Sequence, residues 1–474
     1  MSSPLEYAKQ HRSRFLADLK KFISFPSVSA QPQHTSDLKH CADWLANHLR
    51  QIGLHNTKMI PTSKHPLVYA DWLGRPASPT LLIYGHYDVQ PPEPLKEWHS
   101  PPFTATVRGN NLHGRGACDD KGQMLTHVKA LEACLQTGKR LPVNVKCLFE
   151  GEEEIGSPSL HGFLQRNRRS LAADAAVVSD MPIPGPNRPA ISYALRGGLS
   201  VELEVKGPAR DLHSGLYGGA VHNPLQALCE IIAKLHDGNG RVTIPGFYDR
   251  VHNASDNERR HMAETGPDDK EVLGNAGTAK GWGERAYNAY ERTTLRPALT
   301  LNGITGGYQG AGSKGVIPSR AVAKLSFRLV RDQNPREVER QLRAYLRQIV
   351  PETVRTQLRV AGHAAPVVLD TNHRAMRAAA QAYRRGFGNA PVFLRCGGTI
   401  PVVNTFGQTL GIPTVLMGFA LPDDRMHAPD EKMFLPNFYN GIATSIWFLH
   451  LLGRAEAVSN GERNTVLSEA VLGV

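Results

Sequence analysis

The feature that most constrains this chain is the alternation of short apolar runs with helical patterns in its N-terminal part. Strand-like runs occupy residues 79–88, 143–149 and 175–178, and a helical pattern extends from about residue 121 to residue 137. Strands that alternate with helices are typical of a mainly parallel sheet with helices on both faces. We therefore predict an α/β fold for this part of the chain.

The pattern changes near Ala190, where a second domain is predicted to begin. Residues 191–206 alternate apolar and polar side chains with the period of a half-exposed strand. The segments that follow predict a helix, two strands and a helix, at about 222–236, 298–302, 321–330 and 335–349. This order indicates a small α+β domain inserted into the first one.

The length of 474 residues also favours two domains, because it exceeds what one ordinary core contains. The α/β character resumes near Ala375. We predict that residues 1–193 and 371–474 form the first domain and that residues 194–370 form the inserted one.

The charge balance is basic, with 55 Lys and Arg residues against 43 Asp and Glu and a formal net charge of +12. The basic residues are scattered, and no aromatic side chains alternate with them as a groove for single-stranded nucleic acid requires. We predict a solvated basic surface that attracts anionic substrates, and no nucleic-acid partner. A nucleic-acid-binding protein is the alternative that the charge alone supports.

The six cysteines are scattered without CxxC spacing, which predicts a reducing compartment and no zinc site built from thiolates. The N-terminal residues are polar and lack the apolar core of a signal peptide. No apolar stretch reaches the ~18–20 residues that span a bilayer. The sequence therefore predicts a cytoplasmic protein without a membrane partner.

Acids and histidines follow the predicted strands, at the sheet edge where sites form in open parallel sheets. In the segment GHYD, His86 and Asp88 share one face because they are two residues apart in an extended chain. A carboxylate on the second ring nitrogen fixes the tautomer and orientation of a metal-bound imidazole. This pair is therefore a candidate metal ligand and its orienting acid, although a plain turn would give the same pattern.

Further acids lie in three other segments, and each has a simpler alternative. Asp119 and Asp120 precede a predicted helix and could cap it. Glu153 and Glu154 belong to a run of four glutamates after a buried strand, which could be a solvated acidic loop. Asp180 closes another apolar strand.

A lone histidine such as His427 is more often structural. Together, however, these segments supply two histidines and at least three carboxylates, a set that suits zinc or manganese. Two such ions ~3.5–4 Å apart could share one carboxylate and one hydroxide.

At this point the chain resembles the aminoacylase–carnosinase family of two-metal exopeptidases and deacylases, above all its carnosinase and cytosolic non-specific dipeptidase branch. The resembling segments cover residues 80 to 435, approximately, in the family's order. They are GHYDVQP, EWHSPPF, LHGRGACDDKGQ, EGEEEIGS, RDLHSGLYGG, VIPSRAV, SFRLV, CGGTIPV and MHAPDE.

The resemblance implies a role for each residue of the site. Asp119 would bridge two divalent ions, zinc by first expectation and manganese as the alternative, and the Asp119–Asp120 peptide would be cis. One ion would be completed by His86 and Asp180, and the other by Glu154 and His427. Glu153 would be the general base and Asp88 the acid that orients His86.

The two-domain layout predicts that the inserted domain closes over the site as a lid. The resemblance also implies that it is the dimerisation domain of a homodimer. His213 would reach the partner's active site and stabilise the oxyanion, and Arg328 would hold the substrate's carboxylate. His363, Gly398 and Thr399 would complete the substrate pocket.

The implied function is hydrolysis of dipeptides or other small peptides that have a free C-terminal carboxylate. A hydroxide that bridges the ions and is activated by Glu153 would attack the amide carbonyl. The alternatives are a deacylase of N-acyl amino acids with the same metal centre and a catalytically silent or synthetic relative. Three departures from the dipeptidase pattern, Gly315, Ile155 and residues 249–294, leave the choice of substrate open.

Overall fold

The structure is a computed structural model that describes residues 2–454 and divides into two compact units. Of the described residues, the first unit contains 2–193, Leu369–Leu394 and 401–454. The second contains Ala194–Val368 and Arg395–Ile400. Residues 455–474, which we assigned to the first domain from the sequence, lie outside the described residues.

The strands of both units are numbered here in chain order. They are β1 (His55–Ile60), β2 (Leu67–Trp72), β3 (Thr80–His86), β4 (Thr106–Arg108), β5 (Asn111–His113), β6 (Asn144–Glu150), β7 (Ala175–Val178), β8 (Ala190–Leu195), β9 (Gly197–Lys206), β10 (Leu212–His213), β11 (Ala298–Gly306), β12 (Val316–Ile317), β13 (Arg320–Leu329), β14 (Arg355–Ala364), β15 (Val367–Val368), β16 (Val392–Cys396), β17 (Thr414–Met417) and β18 (Lys432–Phe434).

The helices are numbered in the same way. They are α1 (Pro4–Gln10), α2 (Arg12–Ile23), α3 (Thr35–Gln51), α4 (Lys121–Gly138), α5 (Leu160–Arg166), α6 (Ser214–Tyr217), α7 (Pro224–Ala233), α8 (Asp256–Thr265), α9 (Asp269–Asn275), α10 (Ala289–Thr294), α11 (Pro335–Ile349), α12 (Arg374–Phe387), α13 (Pro401–Thr405) and α14 (Leu435–Arg454). Single 3₁₀ turns lie at Pro32–His34, Leu95–Glu97 and Glu153–Ile155, and a π-helical turn at Phe406–Leu410.

The first unit is built on a sheet whose strands follow the order β1-β2-β6-β3-β7-β17-β8. The four central strands, from β6 to β17, are parallel, as the sequence predicted. Strands β1 and β2 at one side and β8 at the other are antiparallel to their neighbours, which the sequence did not predict. The central strands are buried along their whole length except at the first residue of β3, because helices cover both faces.

The predicted helix at residues 121–137 is α4, which is buried on all sides over most of its length. Its neighbours include α1, α2 and α14, and α14 also packs along α12. Its buried face includes charged side chains that are paired inside the domain, such as Lys129 with Glu132 at 2.9 Å. The α4 helix thus forms the centre of the helical layer in the first unit, and its N-terminus begins directly after Asp120.

The second unit contains an antiparallel sheet of order β11-β13-β9-β14. Helices α7 and α11 pack against it and share its core. In α11 the buried residues Val338, Leu342 and Leu346 repeat every four positions, and Asn334 caps the helix start. This is the α+β architecture that the sequence predicted.

One expectation for the start of the second unit was wrong in detail. Residues 191–206 are not one strand, because the chain breaks at Arg196 between β8 and β9. The polar stretch at 249–294 contains α8, α9 and α10.

In the part of the chain that the structure describes, no helix is both long and apolar enough to cross a bilayer.

Candidate metal centre

The predicted metal ligands all lie in the first unit, at the carboxyl edge of its parallel strands. His86 is the last residue of β3, and Asp180 follows β7 by two residues. Glu154 lies in the 3₁₀ turn after β6, and Asp119 precedes α4. His427 lies in the loop between β17 and β18. Parallel strands bring their ends to one edge, so residues distant in sequence meet there.

The structure brings these five residues together in two groups that share Asp119. Nε2 of His86 lies 3.2 Å from Oδ1 of Asp119 and 3.8 Å from Oδ2 of Asp180. Nε2 of His427 lies 2.8 Å from Oδ2 of Asp119 and 3.4 Å from Oε2 of Glu154. Within each group the ligand atoms are no more than 4.8 Å apart. One carboxylate therefore faces two adjacent positions that a cation can occupy.

Two atoms of the cluster fit a cation better than a hydrogen bond. Nε2 of His86 and Oε1 of Glu154 are buried, and neither has a hydrogen-bond partner among the described residues. Oδ1 of Asp119 lies 3.2 Å from Nε2 of His86, but the two atoms do not form a hydrogen bond. Buried polar atoms without partners are costly. A divalent ion coordinated by imidazole and carboxylate would satisfy both atoms.

Asp88 connects the ring of His86 to the glutamate turn. Its Oδ1 lies 3.4 Å from Nδ1 of His86, and its carboxylate accepts the backbone N–H groups of Glu153 and Glu154 at 3.2 and 3.0 Å. The carbonyl oxygen of Asp88 lies 3.1 Å from the same ring nitrogen. Asp88 therefore has the contacts of an acid that orients His86, and it also holds the turn that carries Glu153.

The crowding of buried carboxylates changes their acidity. Burial, together with the charges of Glu154 and Asp88 and against the opposing effect of His86, raises the pKa of Glu153 to about 7. Burial and the charge of Asp119 raise the pKa of Asp180. The contacts of His427 with Asp119 and Glu154 raise the pKa of its ring to about 10. A group with a pKa near 7 can both accept and donate a proton at neutral pH.

Asp120 does not cap α4 with its side chain, although it occupies the N-cap position. Its Oδ2 instead accepts the backbone N–H of His86 at 3.2 Å. The peptide between Asp119 and Asp120 is cis, as the resemblance implied.

Sequence reasoning gave no role to two other buried acids near this centre, Glu150 and Glu431. Glu150 ends β6 and accepts hydrogen bonds from the hydroxyls of Tyr84 and Ser157, and burial raises its pKa to about 8. Both acids belong to motifs that were visible in the sequence, EGEEE and MHAPDE. The sequence did not show that the side chains of Glu150 and Glu431 are buried.

The predicted substrate-binding residues all lie in the second unit. Nη1 of Arg328 donates to Oγ1 of Thr399 at 2.7 Å, and that hydroxyl donates to the carbonyl of Arg196 at 2.7 Å. The backbone N–H of Arg196 donates to the carbonyl of Gly398 at 3.1 Å, and its Nε donates to the carbonyl of Gly397 at 3.0 Å. Arg196 was not singled out in the sequence, because no motif marked it.

Arg196 and Arg328 form a positive pair. Burial and the neighbouring charge of Arg328 lower the pKa of Arg196 to about 10. Among the described residues, both guanidinium groups donate to carbonyl or hydroxyl oxygens and neither forms an ion pair with a carboxylate. An anion is therefore the partner that this pair lacks.

The two histidines of the second unit make other contacts. Nδ1 of His213 accepts the N–H of Gly215 at 3.0 Å, and the ring is exposed. His363, on β14, lies 3.0 Å from the carboxylate of Glu339. Gly315 accepts the backbone N–H of Ser214 at 3.0 Å, so the glycine that departs from the dipeptidase pattern is a neighbour of His213 in this unit.

Comparison with known proteins identifies the family. The model of peptidase family M20/M25/M40 matches residues 82–449. A relative in Candida albicans, the Cys-Gly metallodipeptidase DUG1, is 31% identical over 94% of this chain and 96% of its own.

Two solved structures are similar over nearly the whole chain. Human carnosine dipeptidase 1 has a TM-score of 0.85 with 28% identity and covers 95% of this chain and 98% of its own. The M20 metallo-carboxypeptidase Sso-CP2 from Sulfolobus solfataricus has a TM-score of 0.84 with 32% identity and covers 93% of this chain and 99% of its own.

These findings confirm the resemblance that the motifs indicated, the α/β fold class with its inserted α+β domain, and the assignment to the metal-dependent hydrolases. The chain belongs to peptidase family M20/M25/M40 and is a metallopeptidase.

Proposed function

We propose that this metallopeptidase cleaves dipeptides and other small peptides with a free C-terminal carboxylate, with Glu153 as its general base. The observation that supports the metal chemistry is the sharing of Asp119 between two groups of ligands. The dipeptide preference is supported by the relatives named above, of which two are dipeptidases. The same relatives favour a peptide over an N-acyl amino acid as the substrate.

For the metal centre we propose two divalent ions, zinc first and manganese as the alternative. His86 and Asp180 would hold one ion, Glu154 and His427 the other, and Asp119 both. Imidazole and carboxylate ligands suit either metal. When bound, the two ions supply a Lewis acid and a water molecule of lowered pKa.

In the mechanism that we propose, Glu153 removes the proton from the attacking water and later delivers it to the leaving amine nitrogen. Its pKa of about 7 suits both transfers at neutral pH. Asp88 keeps the His86 ring and the Glu153 turn in place through the contacts described above. His213 donates a hydrogen bond to the carbonyl oxygen as it becomes negative.

We propose that Arg328 and Thr399 bind the carboxylate of the substrate, with the Gly398 backbone and His363 at the edges of that pocket. A planar guanidinium can hold a carboxylate through two parallel hydrogen bonds. The absence of an acidic partner for Arg328 among the described residues supports this assignment. A requirement for a free carboxylate would restrict the enzyme to short substrates and to chain ends.

For the second unit we propose the roles of lid and dimerisation domain. The strand β11 is an edge of its sheet, and it exposes Leu301 and Ile304 to 43% and 40%. An exposed apolar edge strand is a natural surface for a second copy of the same chain. In such a homodimer, His213 would act in the active site of the partner.

We further propose a cytoplasmic location, which the cysteines support. Cys41, Cys118, Cys134 and Cys147 are buried as single thiols. Unpaired buried cysteines are typical of a reducing compartment.

A substrate panel tests the proposed function. Purified protein loaded with zinc or with manganese is incubated with Xaa-Gly dipeptides, β-alanyl dipeptides, C-terminally amidated dipeptides and N-acetyl amino acids, and free amine is measured. We expect cleavage of the free dipeptides and little cleavage of the amides. Preferential release of amino acids from the N-acetyl series would replace the dipeptidase with a deacylase. The Glu153→Gln variant serves as the control for contaminating peptidases.

A further inference from the structure

Glu431 is a fully buried carboxylate that accepts hydrogen bonds from one short loop of the first unit. Its Oε2 accepts from Nη1 of Arg115 at 2.7 Å and from the backbone N–H of Gly116 at 2.9 Å. Its Oε1 accepts from the backbone N–H groups of Cys118 and Asp119 at 2.9 and 3.1 Å. The Cys118 thiol lies 3.4 Å from the same oxygen. Both oxygens are therefore saturated by residues 115–119.

The loop of residues 115–119 is shaped around this carboxylate. Gly116 adopts a φ of +85°, and a Cβ there would lie 2.7 Å from a methyl group of Val89, so a glycine is required. At the end of the loop, the backbone N–H groups of Cys118 and Asp119 also donate to the carboxylate of Glu431. Asp119 is the last of these donors, and its side chain is the one shared by both groups of metal ligands. The position of Asp119 thus depends on the position of Glu431.

The segment that contains Glu431 also contains His427. Between β17 and β18 the residues Arg425, His427 and Asp430 all have positive φ angles of 58° to 61°, which side chains other than glycine rarely adopt. Such a loop keeps its shape only if its surroundings hold it. Glu431 and the carboxylate of Asp430, which accepts from His99 and Arg108, are the anchors at its C-terminal end.

We propose that Glu431 is a positioning residue that sets the distance between Asp119 and His427, and thereby the metal affinity of the centre. The inference rests on the metal centre proposed above. Glu431 accepts hydrogen bonds from the loop that ends at Asp119, and it lies in the same loop as His427. Groups behind the ligands tune metal affinity by orienting them, and their loss commonly weakens binding about 10- to 100-fold.

The alternative is that Glu431 serves only as the buried partner of Arg115. Breaking a buried ion pair destabilises a protein wherever the pair is located, because it leaves one charge uncompensated. Stability alone therefore cannot separate the two explanations. Metal affinity can, because a pair that served only stability would leave the ligands where they are once the protein is folded.

The test compares Glu431→Gln with Glu284→Gln in the full chain. Glu284 is a matched control, since it is also buried and bonded to an arginine, Arg296 at 2.9 Å, but it lies in the second unit and belongs to no group of candidate metal ligands. Zinc affinity is measured by competition with a chromophoric chelator, zinc per chain by elemental analysis, and folding by circular dichroism and thermal melting of the metal-free protein.

We expect Glu431→Gln to bind zinc at least about 10-fold more weakly than the wild type, and Glu284→Gln to bind it with unchanged affinity. If Glu431→Gln is folded and binds zinc as the wild type does, the proposal is wrong and the residue is only a partner of Arg115. If Glu431→Gln does not fold, Glu431→Asp keeps the negative charge but is one methylene shorter, so its carboxylate cannot reach all the donors of residues 115–119, and the same comparison of affinities applies.

The outcome is distinguishable from failure of the proposed function. A wild type that binds two ions but cleaves no peptide contradicts the proposed activity and leaves the affinity comparison valid. A wild type that binds no zinc or manganese overturns both the metal centre and the role of Glu431.

Discussion

Nε2 of His427 lies 2.8 Å from Oδ2 of Asp119, so a histidine of the C-terminal segment contacts an aspartate at the start of α4. The two groups that share Asp119 differ in their access to solvent. The His427 side chain is 56% exposed, whereas that of His86 is 1% exposed. We infer that an ion on the His427 side exchanges with solvent more readily than one on the His86 side.

Replacement of His427 by alanine should therefore remove one ion and leave the other. Elemental analysis after dialysis should give about one ion per chain for His427→Ala and two for the wild type. In the wild type, a weak chelator should remove the ions in two steps. A His427→Ala protein that keeps two ions after dialysis would contradict the assignment of this ligand.

Replacement of Glu153 by glutamine should lower kcat about 10²- to 10⁴-fold, the usual contribution of a positioned acid or base. The metal content should stay at the wild-type value, because Glu153 belongs to neither group of ligands. The exposed Glu97 provides the matched control, and Glu97→Gln should leave kcat unchanged. Near wild-type turnover in Glu153→Gln would require another base.

Replacement of Arg328 by methionine should lower kcat/KM for free dipeptides roughly 10- to 100-fold, since a hydrogen bond to a charged group contributes about 1.5–3 kcal/mol. C-terminally amidated dipeptides, which lack the carboxylate, should be cleaved equally by the variant and the wild type. Arg331→Met is the control, because that side chain is 64% exposed. An equal decrease in kcat/KM for free and amidated dipeptides would show that Arg328 does not bind the substrate's carboxylate.

Dilution tests the homodimer and the role of His213 in it. If His213 acts in the partner's site, specific activity should fall as the dimer dissociates. The Leu301→Arg variant should form monomers by analytical ultracentrifugation and lose turnover, because a charge would disrupt the apolar edge of β11. Full activity in a proven monomer would reject the action of His213 in the partner.

His127 predicts a dependence of stability on pH. Burial lowers its pKa to about 3, from the value near 6.5 that it has in an unfolded chain. Below pH 6.5 His127 is protonated in the unfolded state but stays neutral in the folded state. The free energy of unfolding therefore falls by up to about 1.4 kcal/mol for each pH unit, until the pH approaches 3.

The His127→Gln variant should lose this part of the slope, although the loss of the 2.7 Å contact between the ring and Ser179 lowers its stability at pH 7. Urea unfolding between pH 7 and pH 5 measures both slopes. The exposed His40 provides the control, and His40→Gln should keep the wild-type slope. Parallel slopes for His127→Gln and the wild type would contradict the prediction.

Local patterns predicted the helices and strands well where the signals were dense. Helix α11 matched its predicted bounds because a capping Asn334, a following proline and a regular apolar spacing all agree. Strands β3, β6 and β7 were recognised from short apolar runs. These features depend on neighbouring residues, which a sequence displays directly.

Long-range features could not be predicted in the same way. Strand β17 pairs with β7 and β8, but the sequence of its four residues does not indicate which strands it pairs with. The break at Arg196 depends on hydrogen bonds with Gly397 and Gly398, which are distant in sequence. Resemblance to a family allowed Asp180 and His427 to be predicted as metal ligands. The hydrogen-bond partners of Glu431, however, could be identified only from the structure.

The insertion of β17 between β7 and β8 has a consequence for synthesis on the ribosome. The first unit cannot close its sheet until residues 414–417 have emerged, and its metal ligands cannot assemble until His427 follows. Most of the second unit is a contiguous stretch of chain with its own core, so it can form earlier. A nascent chain would therefore expose the unfinished apolar sheet through nearly all of translation, and premature termination before β17 should yield an aggregating fragment rather than a weakened enzyme.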